Sequence, residues 1–166
     1  MYSIHGTRKL LDRVKPLVVD PVTEPSTMLG NWYANVVFWK PQVAVLVNER
    51  TLLPVFMPLA PASALTVRFP EQLGLVLDAI GVPADFVAQE LLAMEQVSFA
   101  KTANRSVVGS MNDFVYLAGF HREAGEAEDL VGLSASLAET PCSPLYQRHT
   151  SPDCEVRALV ADWSAG

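Results

Sequence analysis

The sequence predicts an α+β domain: an antiparallel β-meander over about residues 32–57, with added strands, packed against three to four α-helices. Three observations carry this. Residues 32–57 hold three short runs rich in β-branched and aromatic residues, separated by two turn signals. From Phe69 onward the apolar residues recur at a period near 3.6. The chain has 166 residues, 50% hydrophobic and 18% charged, which predicts one globular domain over 1–166 that buries its own core.

The elements follow in order. After a short extended start, Thr7 to Val14 places Leu10, Leu11 and Val14 on one helical face, with Thr7 as N-cap, and Lys15-Pro16 ends the helix. Residues 16–29, with three prolines, read as an ordered connection. Trp32 to Trp39 alternates Trp32, Ala34, Val36, Phe38 against Tyr33, Asn35, Val37, Trp39, as a strand does. Lys40-Pro41 turns the chain into a strand over Gln42 to Val47, and Asn48-Glu49-Arg50 turns it again into a strand over Thr51 to Met57. Pro54 has no N–H for a ladder, so this third strand belongs at an edge or carries a bulge.

Phe69, Leu73, Val76, Leu77 and Ile80 then form a helix face, with Pro70 in its first turn and Gly81 at its C-terminal cap. Pro83 opens a further helix. Between Pro70 and Gln96 stand five acids (Glu71, Asp78, Asp85, Glu90, Glu95) and no cation, which predicts a solvated acidic face. Val97 to Ala100 reads as a short strand and the stretch from Asn104 as a helix. Leu130 to Leu137 reads as a last helix and Glu155 to Ala161 as a closing strand.

The formal net charge of −6 excludes a broad surface for duplex DNA or an anionic membrane. The charge is uneven: residues 1–50 carry six cations against four acids, and residues 51–166 carry six against fourteen. The longest uncharged stretch, Thr51 to Val67, is shorter than the ~20 residues of a membrane span and is broken by three prolines. No apolar run precedes Arg8 and Lys9, so the expectation is a cytoplasmic protein. Cys142 and Cys154, with His149 between them, match no common zinc spacing. No metal and no cofactor are expected, and no HExxH, GxSxG, P-loop or GxGxxG pattern assigns a catalytic residue.

Two polar clusters are the candidate ligand-binding residues. One gathers Trp32, Tyr33 and Asn35 with Asn48, Glu49 and Arg50 at the strand ends, of which Trp32, Asn35 and Arg50 are the binding candidates; the other is Lys101, Asn104, Arg105, Ser106, Ser110, Asn112 and Asp113. Two accounts of the second cluster stand open. In one, Asn104 or Thr102 caps a helix whose positive end, flanked by Lys101 and Arg105, accepts a small anion such as phosphate. In the other, Gly109 and Ser110 let another element pack closely, Ser110 to Asp113 forms a capping box, and Arg105 pairs with Asp113 or another acid. Residue types alone favour the structural account.

Thr7 to Leu11, Leu29-Gly-Asn-Trp-Tyr-Ala-Asn35, Asn48-Glu-Arg-Thr-Leu-Leu-Pro-Val55, Ala100 to Phe114 and Leu137 to Cys142 together resemble a family of small bacterial proteins known only as a domain of unknown function. In that family an acidic residue usually follows the glycine, where this chain has Asn31. The resemblance implies no activity, cofactor or catalytic residue. The expected function is therefore a binding or interaction module with a candidate small-anion (phosphate or nucleotide) pocket, its partner a protein or that anion. The alternatives are an enzyme or toxin acting on a nucleotide or RNA through Lys101, Arg105 and Asp113, and a purely structural interaction domain using the acidic 70–96 face.

Overall fold

A computed structural model describes residues 1–125 and 129–166. Its centre is a five-stranded mixed sheet in the order β4-β3-β2-β1-β5. The strands are β1 (Tyr2–Gly6), β2 (Trp32–Val37), β3 (Val43–Asn48), β4 (Pro54–Pro58) and β5 (Val97–Lys101). β2, β3 and β4 form the expected antiparallel meander, but β1 lies at the heart of the sheet, parallel to both β2 and β5. The sheet is thus mixed. Ser3 and His5 alternate with Tyr2 and Ile4, so β1 lacks the apolar density of a buried parallel strand and reads in sequence only as an extended start.

Among the described residues six α-helices complete the fold, more than the three or four expected: α1 (Arg8–Val14), α2 (Leu65–Ala79), α3 (Ala84–Ala93), α4 (Arg105–Glu123), α5 (Leu130–Leu137) and α6 (Pro152–Ala165). One sheet face, with Trp32, Ala34, Val36, Ala44, Leu46, Val55 and Met57, packs against α1, α2, α3 and α6. The other, with Tyr33, Val37, Val43, Val45, Val47 and Phe56, packs against α4 and α5. The alternation along Trp32–Val37 therefore divides two cores. Gly6 ends β1 where α1 crosses close by; a Cβ there would come within 2.7 Å of Leu11, so only glycine fits without displacing that side chain.

Pro54 and Pro58 lie on the edge strand β4, whose outward backbone is covered by side chains. Phe56 N–H donates to Ser134 Oγ of α5 at 2.8 Å, and Gln72 Nε2 of α2 donates to Phe56 O at 3.0 Å. Both bonds blunt an edge that otherwise invites strand pairing. The connection 16–29 is ordered as expected. Val19 N–H donates to Phe99 O, and the buried carboxylate of Glu90 accepts from Met28 N–H and Leu29 N–H, each at 2.7 Å. Glu90 is thus no part of the acidic face, which Glu71, Asp78, Asp85 and Glu95 make up.

Two further expectations are corrected. Residues 155–161 lie within α6, not a closing strand. Pro152 and Asp153 open this helix, and Val156, Leu159, Val160 and Trp163 hold the helical spacing, a period too long to show in a seven-residue window. Burial alone raises the Asp153 carboxyl, but the Ser151 hydroxyl, the Arg157 guanidinium and the Cys154 N–H together hold it below its ordinary value. α2 begins at Leu65, so Pro70 sits past its first turn. Gly81, at φ +85°, does close that helix in the left-handed conformation expected of it. Among the described residues, no helix is long and apolar enough to cross a membrane.

Candidate functional site

One residue of the second cluster, Asn104, meets β2 through Tyr33. Tyr33, in β2, points to the α4 side and accepts a hydrogen bond at its phenol oxygen from Asn104 N–H at 2.9 Å. His5, in register beside it on β1, stacks on the Tyr33 ring with centroids 4.5 Å apart and planes 10° from parallel. His5 Nδ1 lies 2.8 Å from the carbonyl oxygen of Lys101. A carbonyl only accepts, so Nδ1 is the donor; in the tautomer this selects, Nε2 holds the lone pair. Among the described residues Nε2 has no partner, although His5 is only 4% exposed.

These residues line an open hollow of about 580 Å³, walled by Pro21–Thr23, Asn31, Glu49 and Ala103–Asn104. Its walls are well supported. Asn31 accepts from Ser3 N–H and donates to Val22 O. Asn48 is a buried clasp: its Oδ1 accepts from Arg50 N–H, Thr51 N–H and the Thr51 hydroxyl, while its Nδ2 donates to Leu29 O and Asn31 O. The Asn48–Arg50 turn is thereby tied to the segment that enters β2.

A second concavity, of about 520 Å³, runs between α4 and residues 140–146. Ser106, Gly109, Ser110 and Asp113 share one face of α4 along it. The opposite wall is tied to Thr150, whose carbonyl accepts from Cys142 N–H at 2.9 Å and whose N–H donates to Leu145 O at 3.0 Å. Cys142 lies in this wall, and burial first, then the nearby Asp113 charge, push its thiol up to about 11. It stays protonated at neutral pH and is no nucleophile.

The chain matches the family model described as Domain of unknown function (DUF6933) over residues 3–155. It belongs to that family. No curated protein and no solved structure matches it.

In this DUF6933 chain the expected site residues divide among several places. Asn104 caps α4, its side chain accepting from Ser106 N–H and Val107 N–H, and lines the His5 hollow. Because α4 runs unbroken from Arg105 to Glu123, no capping box starts a helix at Met111. Ser106, Ser110 and Asp113 line the second groove. Trp32 is no ligand platform: it is buried in the opposite core, edge-on to Phe69 at 5.0 Å. Asn35 is engaged internally, its Oδ1 accepting from the Thr7 hydroxyl and from Val36 N–H.

Arg50 is exposed and lines hollows beside Met28–Asn31 and Arg148–Glu155. Lys101, Arg105 and Asn112 are exposed and line none of the cavities described here. No ion pair joins Arg105 to Asp113. Tyr33 and Glu49 belong to the strand-end cluster read from the sequence, whereas His5 and Asn31 were given no binding role there. Only the juxtaposition of β1 and β2 gives His5 its meaning, and no local pattern around it signals that pairing.

The two cysteines are free thiols. Among the described residues no group of three or more His, Cys, Asp or Glu side chains is placed to hold a metal.

Proposed function

We propose that this protein is a binding module whose ligand is a small uncharged molecule bearing hydroxyl or amide groups, seated in the His5–Tyr33 hollow. His5 carries the proposal: it lines the concavity, one ring nitrogen is tied to the backbone, and the other has no partner among the described residues. Tyr33 accepts from Asn104 N–H, so its own hydroxyl proton is left for a ligand. An acceptor and a donor carried on two stacked rings suit a group that both donates and accepts, such as a hydroxyl or a primary amide. The two rings hold each other in place, so little ordering is left for binding to impose.

The Glu49 carboxylate in the wall favours a neutral ligand over a phosphate. Arg50, Lys101 and Arg105, the cations expected to attract an anion, do not line this hollow. The enzyme or toxin alternative gains no support from Lys101, Arg105 and Asp113. They share no cavity described here, and Asp113 is exposed.

The test is a backbone amide NMR titration with ribose, nicotinamide and uridine, set beside uridine monophosphate. The expected result is shifts at His5, Tyr33, Glu49 and Asn104, with no tighter binding of the phosphorylated compound. Tighter binding of the nucleotide would return the site to the anion class. Silence at these residues with every probe would end the proposal.

A further inference from the structure

We infer that the groove between α4 and Thr140–Tyr146 is a second, separate site, for a small organic cation with an apolar body. It shares no lining residue with the His5 hollow. Three observations point the same way. Its volume, about 520 Å³, falls within the few hundred to a thousand Å³ of ordinary small-molecule sites. Its lining holds a single charge, the Asp113 carboxylate, which is exposed and has no cationic partner among the described residues. Tyr116, 69% exposed, and Tyr146, 60% exposed, border it with large rings that no protein core claims. Such rings beside a carboxylate attract an ammonium, amidinium or guanidinium group through both charge and ring face.

Gly109 stands open on this face of α4. A Cβ built on it meets nothing within 4 Å, so no element of the protein fills the space above this part of α4. Its small size is not required for close helix packing, contrary to the structural account of this segment. What it leaves is an open floor between Ser106 and Ser110 on one side and Asp113 on the other. The neighbouring Cys142 thiol, protonated at neutral pH, adds no competing charge.

The experiment is an amide NMR titration of the full chain with benzamidinium, with benzamide as its neutral counterpart. Benzamidinium is expected to shift Ser106–Asp113 and Cys142–Tyr146, and benzamide to bind far more weakly. Asp113→Asn is expected to weaken binding about tenfold or more, the scale of one charge-assisted hydrogen bond. Gly109→Met, placed in open space and better suited to a helix than glycine, is expected to fold at least as stably and to block the groove. Acetyl-Phe-Arg-amide, titrated in parallel, separates the sources. Binding at least as tight as benzamidinium assigns the cation to a partner's arginine, and weaker binding assigns it to a free small molecule. Equal shifts with benzamide and benzamidinium, unchanged binding in Asp113→Asn, or no shifts at all would overturn the inference.

Discussion

The phenol oxygen of Tyr33 accepts the backbone N–H of Asn104 at 2.9 Å, joining the central strand β2 to the residue that starts α4. Tyr33→Phe keeps the ring stacked on His5 but leaves that N–H without its acceptor. The expected cost is about 1 kcal/mol, the usual net worth of one part-buried hydrogen bond. Urea denaturation measures it, and hydrogen exchange should speed up selectively at Asn104–Val107. An unchanged midpoint would show that the bond does not hold the two elements together.

Asn104 has a second duty, as the cap that accepts from Ser106 N–H at 3.0 Å and Val107 N–H at 3.3 Å. Asn104→Ala should cost about 1 kcal/mol, with Asn104→Asp close to neutral because aspartate caps as well. Paired urea curves for the two variants distinguish capping from simple loss of a side chain.

Glu90 makes stability depend on pH. Burial raises its carboxyl above the ordinary 4.5, and the N–H groups of Leu29 and Met28 and the chain's amino terminus offset only part of this. In the interval above 4.5 the folded protein therefore holds a proton that the unfolded chain releases. Stability from this group is complete below 4.5 and is lost as pH rises through the folded value. Glu90→Gln should be less stable overall, since one of the two N–H groups loses its acceptor, but should lose this downward slope. Asp153, held below its ordinary 3.8, acts in the opposite sense at more acid pH and leaves the window clear. Urea midpoints taken across the interval check the difference in slope.

Ser134 seals the sheet edge. Its hydroxyl accepts from Phe56 N–H and donates to Leu130 O, at 2.8 and 2.7 Å. Ser134→Ala should cost about 1–3 kcal/mol by leaving the β4 amide unsatisfied in a buried site. Ser134→Thr, which keeps the hydroxyl, should retain more stability if the added methyl is accommodated. Differential scanning calorimetry of the two variants is the check.

Much of the fold was legible where local pattern and tertiary structure agree. The alternation at Trp32–Val37 marks a strand because each face meets a different core, and Thr7 and Asn104 cap α1 and α4 as their residue types indicate. Pattern alone does not say which face of a strand meets a cavity. Hence Trp32 and Tyr33 are both buried in cores, but only Tyr33 lies on the face that borders the His5 hollow. β1 is the deeper omission. Five residues with serine and histidine on one face do not look like the centre of a sheet, and they become one only because β2 and β5 pair along both sides. His5 was invisible for the same reason.

The imidazole nitrogens of His5 test the central claim most directly. Nitrogen-15 NMR of the free protein should show Nδ1 as the protonated, hydrogen-bonded nitrogen facing Lys101 O. Addition of a hydroxyl- or amide-bearing ligand from the panel should move the Nε2 resonance, with no such response in Tyr33→Phe if both groups hold the ligand together. An Nε2 signal that no member of the panel moves, or a ring protonated at Nε2 instead, would contradict the account.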